Sequence, residues 1–385
     1  VFQHVKIGDP IAGNIPLVNI TRPPVQWSNK DMGIVMKAWA VVEAGKPLQH
    51  IDLPTPEPMG TEVLLEVTHC GVCHSDLHFW HGYYDLGGGT VMRLEDRGVT
   101  LPRASGHEIV GRVVMLGPDA TGVAVGDLCV VYPWVGCGQC ERCRGEQDNM
   151  CTEQRTLGVI QHGGFGSHVV APHPRYLVDP GTVDPAVAAT YACSGITVYA
   201  AVRKVMPLPP DDPVVLIGAG GLGLSAIAML KALGHRAIVS VDIAADKRQA
   251  ALDSGASAVV DGGVANLTQA IVAKAGGPVK AVIDFVNIDE TARAGFDALA
   301  KGGKFVAVGI GGGMITLSLS GMVFRGLSVA GSLTGSPQDL REVMGLAESG
   351  KLAPLPVTRV PKDEANAALA QLEEGTVTGR LVLVS

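Results

Sequence analysis

The chain has 385 residues, 47% of them apolar and 17% charged, with 50 glycines and 24 prolines. That length exceeds what one hydrophobic core serves efficiently, so two domains are expected and a disordered chain is excluded. A formal net charge of −7 and 4% aromatic residues, without a long Lys/Arg run, leave neither a phosphate-tracking groove nor base-stacking platforms, and set nucleic acid aside as a partner.

Residues 1–35 lack the charged start, apolar core and small-residue cleavage site of a secretory segment, which points to the cytoplasm. Strand-like alternation begins at Met36, so these residues read as an N-terminal extension. From Met36 to about His173, short β-branched runs bounded by turn residues, among them Val63 to Thr68, Ile109 to Leu116 and Leu128 to Tyr132, predict a β-rich first domain. His81 to Ser105 reads as a long connection with Gly87, Gly88 and Gly89 in its middle; such loops serve as lids or binding loops, or are surface insertions.

The chemistry-bearing residues begin in that half. Eight cysteines without an export signal, four of them clustered, argue for metal in a reducing compartment over disulfides. Cys73, His74, Ser75, Asp76 and His78 pack a soft ligand, a hydroxyl, a carboxylate and two imidazoles into one turn or two, and Gly106-His107-Glu108 follows the long connection. A zinc that does chemistry needs three protein ligands and an open place, and spacing alone leaves the third ligand undecided. Cys137, Cys140, Cys143 and Cys151 are different: four thiolates on one short loop can close a tetrahedral zinc site of structural type. Taken alone, those four also fit a zinc-ribbon binding module.

Beyond about Ala200 the rhythm becomes strand and helix in alternation, which builds a parallel sheet covered on both faces. Strands are predicted at Val214 to Ile217, Ala237 to Val241, Ala258 to Val260, Ala281 to Phe285 and Lys304 to Val308, and helices near Leu222 to Leu233, Ala245 to Ser254 and Glu290 to Leu299. The long uncharged run Val214 to Leu230 is broken by glycines and reads as strand, loop and helix, not as a membrane span. Its loop is Gly218-Ala-Gly220-Gly221-Leu222-Gly223, whose glycines allow a tight turn, close approach of a pyrophosphate and close helix packing, with the helix N-terminus facing the phosphates. Asp242 closes the next strand about 20 residues on, where a carboxylate accepts from ribose hydroxyls and repels a 2′-phosphate, favouring NAD over NADP.

In order and in residue type, Cys70 to His78, Gly106 to Glu108, the cysteine lobe, Cys193-Ser-Gly-Ile-Thr197-Val-Tyr and the glycine loop resemble the medium-chain zinc alcohol dehydrogenases, most of all the microbial and yeast branch. The resemblance runs from about Met36 to the C-terminus. It implies an α/β architecture: a GroES-like catalytic domain over 36–200 carrying the zinc lobe at 134–152, a doubly wound Rossmann domain over 201–335, and a return to the catalytic domain over 336–385. It implies two zinc ions per chain and NAD, a homodimer or homotetramer, and no membrane partner. Carried over residue by residue, it makes Cys73, His107 and Cys193 the ligands of the catalytic zinc, with Asp76 orienting His107 and Glu108 behind the metal. Ser75 takes the alcohol proton and His78 passes it to solvent. His74 and Arg380 contact the pyrophosphate, Lys247 joins Asp242 at the adenosine ribose, Thr197, Val308 and Ile310 surround the nicotinamide, and Trp80 and Trp134 form pocket walls. The implied activity is reversible oxidation of a primary or secondary alcohol; a bulkier or cyclic alcohol, or aldehyde and ketone reduction, is the alternative among enzymes, and a zinc-stabilised NAD-binding sensor the alternative outside them.

Overall fold

The computed structural model describes residues 35–385. The expected extension therefore lies, apart from Val35, outside the described residues.

The first half is organised by Val63–Gly71, whose Val63, Leu64, Leu65 and Val67 are buried on both sides of a crowded sheet. It pairs antiparallel with Glu108–Leu116, and the register ends on Gly71 opposite Glu108. That last pair is what positions the chemistry, because the turn after Gly71 begins at Val72 and Cys73 while His107 immediately precedes Glu108. The seven-stranded sheet runs Leu177–Val178, Leu128–Val131, Glu108–Leu116, Val63–Gly71, Arg380–Val384, Val357–Pro361, with His168–Ala171 also paired to Val63–Gly71. Two of its strands thus come from the C-terminal end of the chain. A smaller sheet joins Gln49–Pro54, Val35–Val41 and Arg103–Ala104.

The second half is a six-stranded parallel sheet in the order Ala258–Asp261, Ile238–Asp242, Val214–Ile217, Val279–Asp284, Leu299–Ala307, Ser328–Gly331. Val214–Ile217 is buried at every position, as a strand covered on both faces must be. The order reverses at this strand, which opens a crevice beyond its C-terminal end and places the glycine loop there. The helix Gly221–Ala232 follows at once, so the long uncharged run resolves into strand, loop and helix.

Between the two sheets runs Pro185–Val205, long and apolar enough by composition to cross a membrane but with 83% of its apolar window buried inside the protein. Its middle, Tyr191–Gly195, is a π turn carrying Cys193. Its last segment, Ile196–Val205, spans the domain boundary expected at 200/201. The His81 to Ser105 connection carries a short hairpin, Tyr83–Asp85 with Val91–Arg93, whose three-residue strands are too short to write a period into the sequence. Its tip packs across the cleft: a Cβ on Gly88 would sit 2.5 Å from Met314 Sδ, and one on Gly87 2.5 Å from the Gly312 carbonyl oxygen.

Candidate metal centre and cofactor crevice

Cys73, His107 and Cys193 come from three separate places: the N-cap of the helix His74–His81, the entry to Glu108–Leu116, and the π turn. Their ligand atoms all lie within 4.8 Å of one another. Asp76 fixes this geometry. One carboxylate oxygen accepts the Cys73 N–H at 2.9 Å; the other accepts the Gly106 N–H at 2.9 Å and lies 3.5 Å from His107 Nδ1. His107 is thereby turned so that Nε2 faces the two sulfurs, and that nitrogen is buried without a hydrogen-bond partner. Burial opposes charge on the imidazole, yet the Asp76 carboxylate outweighs it and holds the ring pKa well above the ordinary value. A hydrogen bond from Cys193, joined by the His107 ring, holds the Cys73 thiol well below its usual range against the effect of burial.

Glu108 sits directly behind, fully buried. Arg380 Nη2 and the Ser194 N–H both donate to Glu108 Oε1. The pocket for this carboxylate exists because position 71 is glycine, where a Cβ would fall 1.9 Å from Glu108 Oε2. Arg380 in turn lies against the glycine loop: a Cβ on Gly221 would meet its Cδ at 2.7 Å. One guanidinium therefore joins the metal centre to the crevice, and the charges of Arg380 and Lys247 both reach His74, whose pKa burial lowers first and these cations lower further.

In the crevice Gly218 has φ of +94°, the left-handed region that favours glycine, and a Cβ on Gly223 would fall 1.9 Å from the Gly218 carbonyl oxygen. Gly220 faces open space at the helix N-terminus. Asp242 accepts from the Ala219 N–H at 2.8 Å and the Ala244 N–H at 2.9 Å, which locks its carboxylate at the crevice edge. Thr197 is buried in Ile196–Val205, and Val308 and Ile310 follow Leu299–Ala307 at the crevice mouth. Trp134 lies 5.3 Å from the His107 ring, whereas the Trp80 indole donates to the Lys46 carbonyl and lies 4.8 Å from the His81 ring at a tilt of 40°. Ser75 and His78 share one helix, with the His78 ring 5.0 Å from Tyr84.

The four lobe cysteines form a second cluster within 4.8 Å. Burial raises the Cys137 thiol, but the N–H groups of Gln139 and Cys140 overcome it and bring its pKa down to about 7. Beneath the lobe, buried Asp148 accepts from Tyr176 and Arg175, and Asn149 donates to the Leu333 carbonyl across the molecule. Sequence reading missed these supports, and it missed Asn287. That residue adopts φ of +59° and donates from Nδ2 to the Gly309 carbonyl at 2.9 Å, tying together the two loops at the crevice mouth. An Asn three residues past the end of Val279–Asp284 is the only trace it leaves in the sequence.

Residues 59–180 match the alcohol dehydrogenase GroES-like domain, and residues 221–349 match the zinc-binding dehydrogenase domain. An NAD-dependent alcohol dehydrogenase of Sulfurisphaera tokodaii is 38% identical over 91% of this chain and 100% of its own. The chain belongs to the zinc-dependent medium-chain alcohol dehydrogenase family. A family member from Saccharolobus solfataricus named D-arabinose 1-dehydrogenase (NADP(+)) is 34% identical, covering 90% of this chain and 97% of its own. The crystal structure of the alcohol dehydrogenase from Aeropyrum pernix superposes with a TM-score of 0.83 at 30% identity, covering 91% of this chain and all of that one.

The residues present fit the family's cofactors, zinc and NAD. Tetrahedral zinc with sulfur ligands at 2.3 Å sets sulfurs about 3.8 Å apart. Cys73 and Cys193 sulfurs are 4.0 Å apart, and lobe sulfurs 3.5 to 3.9 Å, distances far from a disulfide bond. The lobe offers four thiols and closes its site. The other cluster offers two thiols and one imidazole, the three-ligand set that a catalytic zinc takes from the protein.

Proposed function

We propose that this chain oxidises a primary or secondary alcohol reversibly, with Cys73, His107 and Cys193 holding the catalytic zinc and Cys137, Cys140, Cys143 and Cys151 a structural one. The reaction class, NAD-linked alcohol dehydrogenation, is that of the family. The observation that carries the reading is the unpartnered, buried His107 Nε2 aimed at two converging sulfurs. Cys73, His107 and Cys193 would hold zinc, which would supply Lewis acidity toward the alcohol oxygen, and the crevice would hold NAD, which would supply the hydride acceptor.

The chain's own residues do the rest. Asp76 fixes the His107 ring, and Glu108 places Arg380 between the metal centre and the pyrophosphate position. Ser75 would take the alcohol proton and His78, on the same helix, would hold it on its way to solvent, with NAD supplying its ribose between them when bound. His78 suits this: burial, then the neighbouring His74, lowers its pKa, so it is neutral and able to accept at pH 7. Lys247 and Asp242 hold the adenosine ribose, Thr197, Val308 and Ile310 pack the nicotinamide, and Trp134 walls the substrate pocket with Trp80 at its edge. Ser75→Ala tests the relay: turnover is expected to fall about 10²- to 10⁴-fold while equilibrium NAD binding persists. Near-normal turnover removes the relay, and a chain with NAD binding but no turnover on any alcohol in the unmodified form is a sensor.

The long His81 to Ser105 connection, whose hairpin tip packs against Met314 beside the cleft, supports the second reading, a bulkier or cyclic alcohol or a carbonyl substrate taken in the reducing direction. A panel of primary, secondary, cyclic and aromatic alcohols, with zinc counted on the same sample, separates the two. Association into a homodimer or homotetramer is supported by the helix Leu319–Arg325, where Leu319, Val323 and Phe324 are 78 to 80% exposed beside the edge strand Ser328–Gly331. Eight free cysteines support a reducing compartment, the cytoplasm.

A further inference from the structure

Ile238–Asp242 and Ala258–Asp261 run parallel, and their register pairs Asp242 with Asp261, so two carboxylates stand side by side where both strands end. The Asp242 oxygens accept from Ala219 and Ala244, while Asp261 Oδ1 accepts from the Gly263 N–H at 2.9 Å. Arg248, on the following helix Ala245–Asp253, reaches back between them. Its Nη1 donates to the carbonyls of Asp242 at 2.9 Å and Ile243 at 2.8 Å, and lies 3.3 Å from Asp261 Oδ1. The Arg248 side chain is only 19% exposed. A guanidinium is the group best shaped to bind a phosphate, and this one stands at the adenosine ribose end of the crevice with its charge already matched.

We infer that Asp261 is a specificity-determining residue: by holding Arg248 against the strand ends, it withholds a cation that would otherwise serve a 2′-phosphate. This rests on the reading of the crevice as an NAD site. Preference for NAD then has two parts, repulsion by Asp242 and sequestration by Asp261. Asp261 is ion-paired with Arg248, while the Asp242 carboxylate is held by backbone N–H groups alone, so it repels a doubly charged phosphate and the guanidinium is not free to offset it. Removing the charge of Asp261 makes the edge more positive by one charge and leaves the guanidinium, still anchored through Nη1 to the two carbonyls, without a competing anion for a phosphate.

The test uses the full chain and equilibrium titration with 5′-ADP and 2′,5′-ADP, the adenosine ends of the two cofactors, so that it reads binding and not turnover. Asp261→Asn keeps an oxygen for the Gly263 N–H and is expected to tighten 2′,5′-ADP about tenfold, with 5′-ADP changed by less than about twofold. Asp261→Ser gives the same readout with a shorter acceptor. Adding Arg248→Ala to Asp261→Asn is expected to erase the gain, and adding Asp242→Gly to enlarge it. The ratio of kcat/KM for NADP over NAD should follow the same order. A gain that survives Arg248→Ala, or an unchanged ratio in a chain that binds 5′-ADP, overturns the inference alone. An unmodified chain that binds neither nucleotide overturns the NAD reading and the inference with it.

Discussion

The two cysteine clusters are built from the same ligand type by opposite means. The lobe draws all its sulfurs from Cys137 to Cys151 and closes on itself, while the other cluster draws Cys73, His107 and Cys193 from three elements and stays open at one place. A local cluster needs only a short loop to be correct. A dispersed one needs the whole sheet, the π turn and the Asp76 clamp to be correct together. Closed and local goes with holding structure; open and dispersed goes with chemistry that depends on alignment.

The largest effect should come from the dispersed site. Cys193→Ser is expected to lower turnover by on the order of 10³-fold or more, with one zinc lost per chain and the thermal midpoint little changed, read by rate assay, metal count and calorimetry. Cys151→Ser should do the converse: one zinc lost, stability reduced by more than about 4 kcal/mol, and turnover retained below the lowered midpoint. If both substitutions cost mainly stability, or both mainly rate, the distinction between the sites collapses. Asp76→Asn should leave the ligands present but loosely held, weakening metal at the open site 10- to 100-fold in chelator competition without touching the lobe. The smallest effect concerns pH. His78 has a pKa below the ordinary 6.5, so alcohol oxidation should hold through neutrality and decline only as pH falls through that lowered value, where the ring is already protonated and cannot accept. His78→Gln should flatten this acid limb and slow turnover modestly across the range.

The same contrast explains what the sequence made legible. The lobe could be read from spacing because its geometry is encoded within one loop, and the glycine loop because Gly218 and Gly223 answer local steric demands and Gly220 leaves open space at the helix N-terminus. The strands of the parallel sheet were legible as buried apolar runs, their ends shifting by a residue or a few, with Leu299–Ala307 beginning earlier than the apolar pattern suggests. The third ligand of the open site was not legible from spacing, since Cys193 and Cys73 meet only through tertiary packing; the resemblance supplied it. Asn287 was missed because its strained backbone and its bond to Gly309 appear only once two loops have met. The π turn, and the hairpin at Tyr83–Arg93, were missed because neither has a period long enough to register.

Arg380–Val384 lies inside the catalytic sheet, between Val63–Gly71 and Val357–Pro361. A strand in that place is made late, so the Gly71 end of the Val63–Gly71 edge that faces away from Glu108–Leu116 stays uncovered, and Glu108 stays without its guanidinium, until Arg380 arrives. The lobe's four cysteines, gathered within one loop, need no such distant partner. Removing Arg380–Val384 is therefore expected to take away the guanidinium held by Glu108 and to loosen the dispersed cluster while leaving the lobe's four cysteines together.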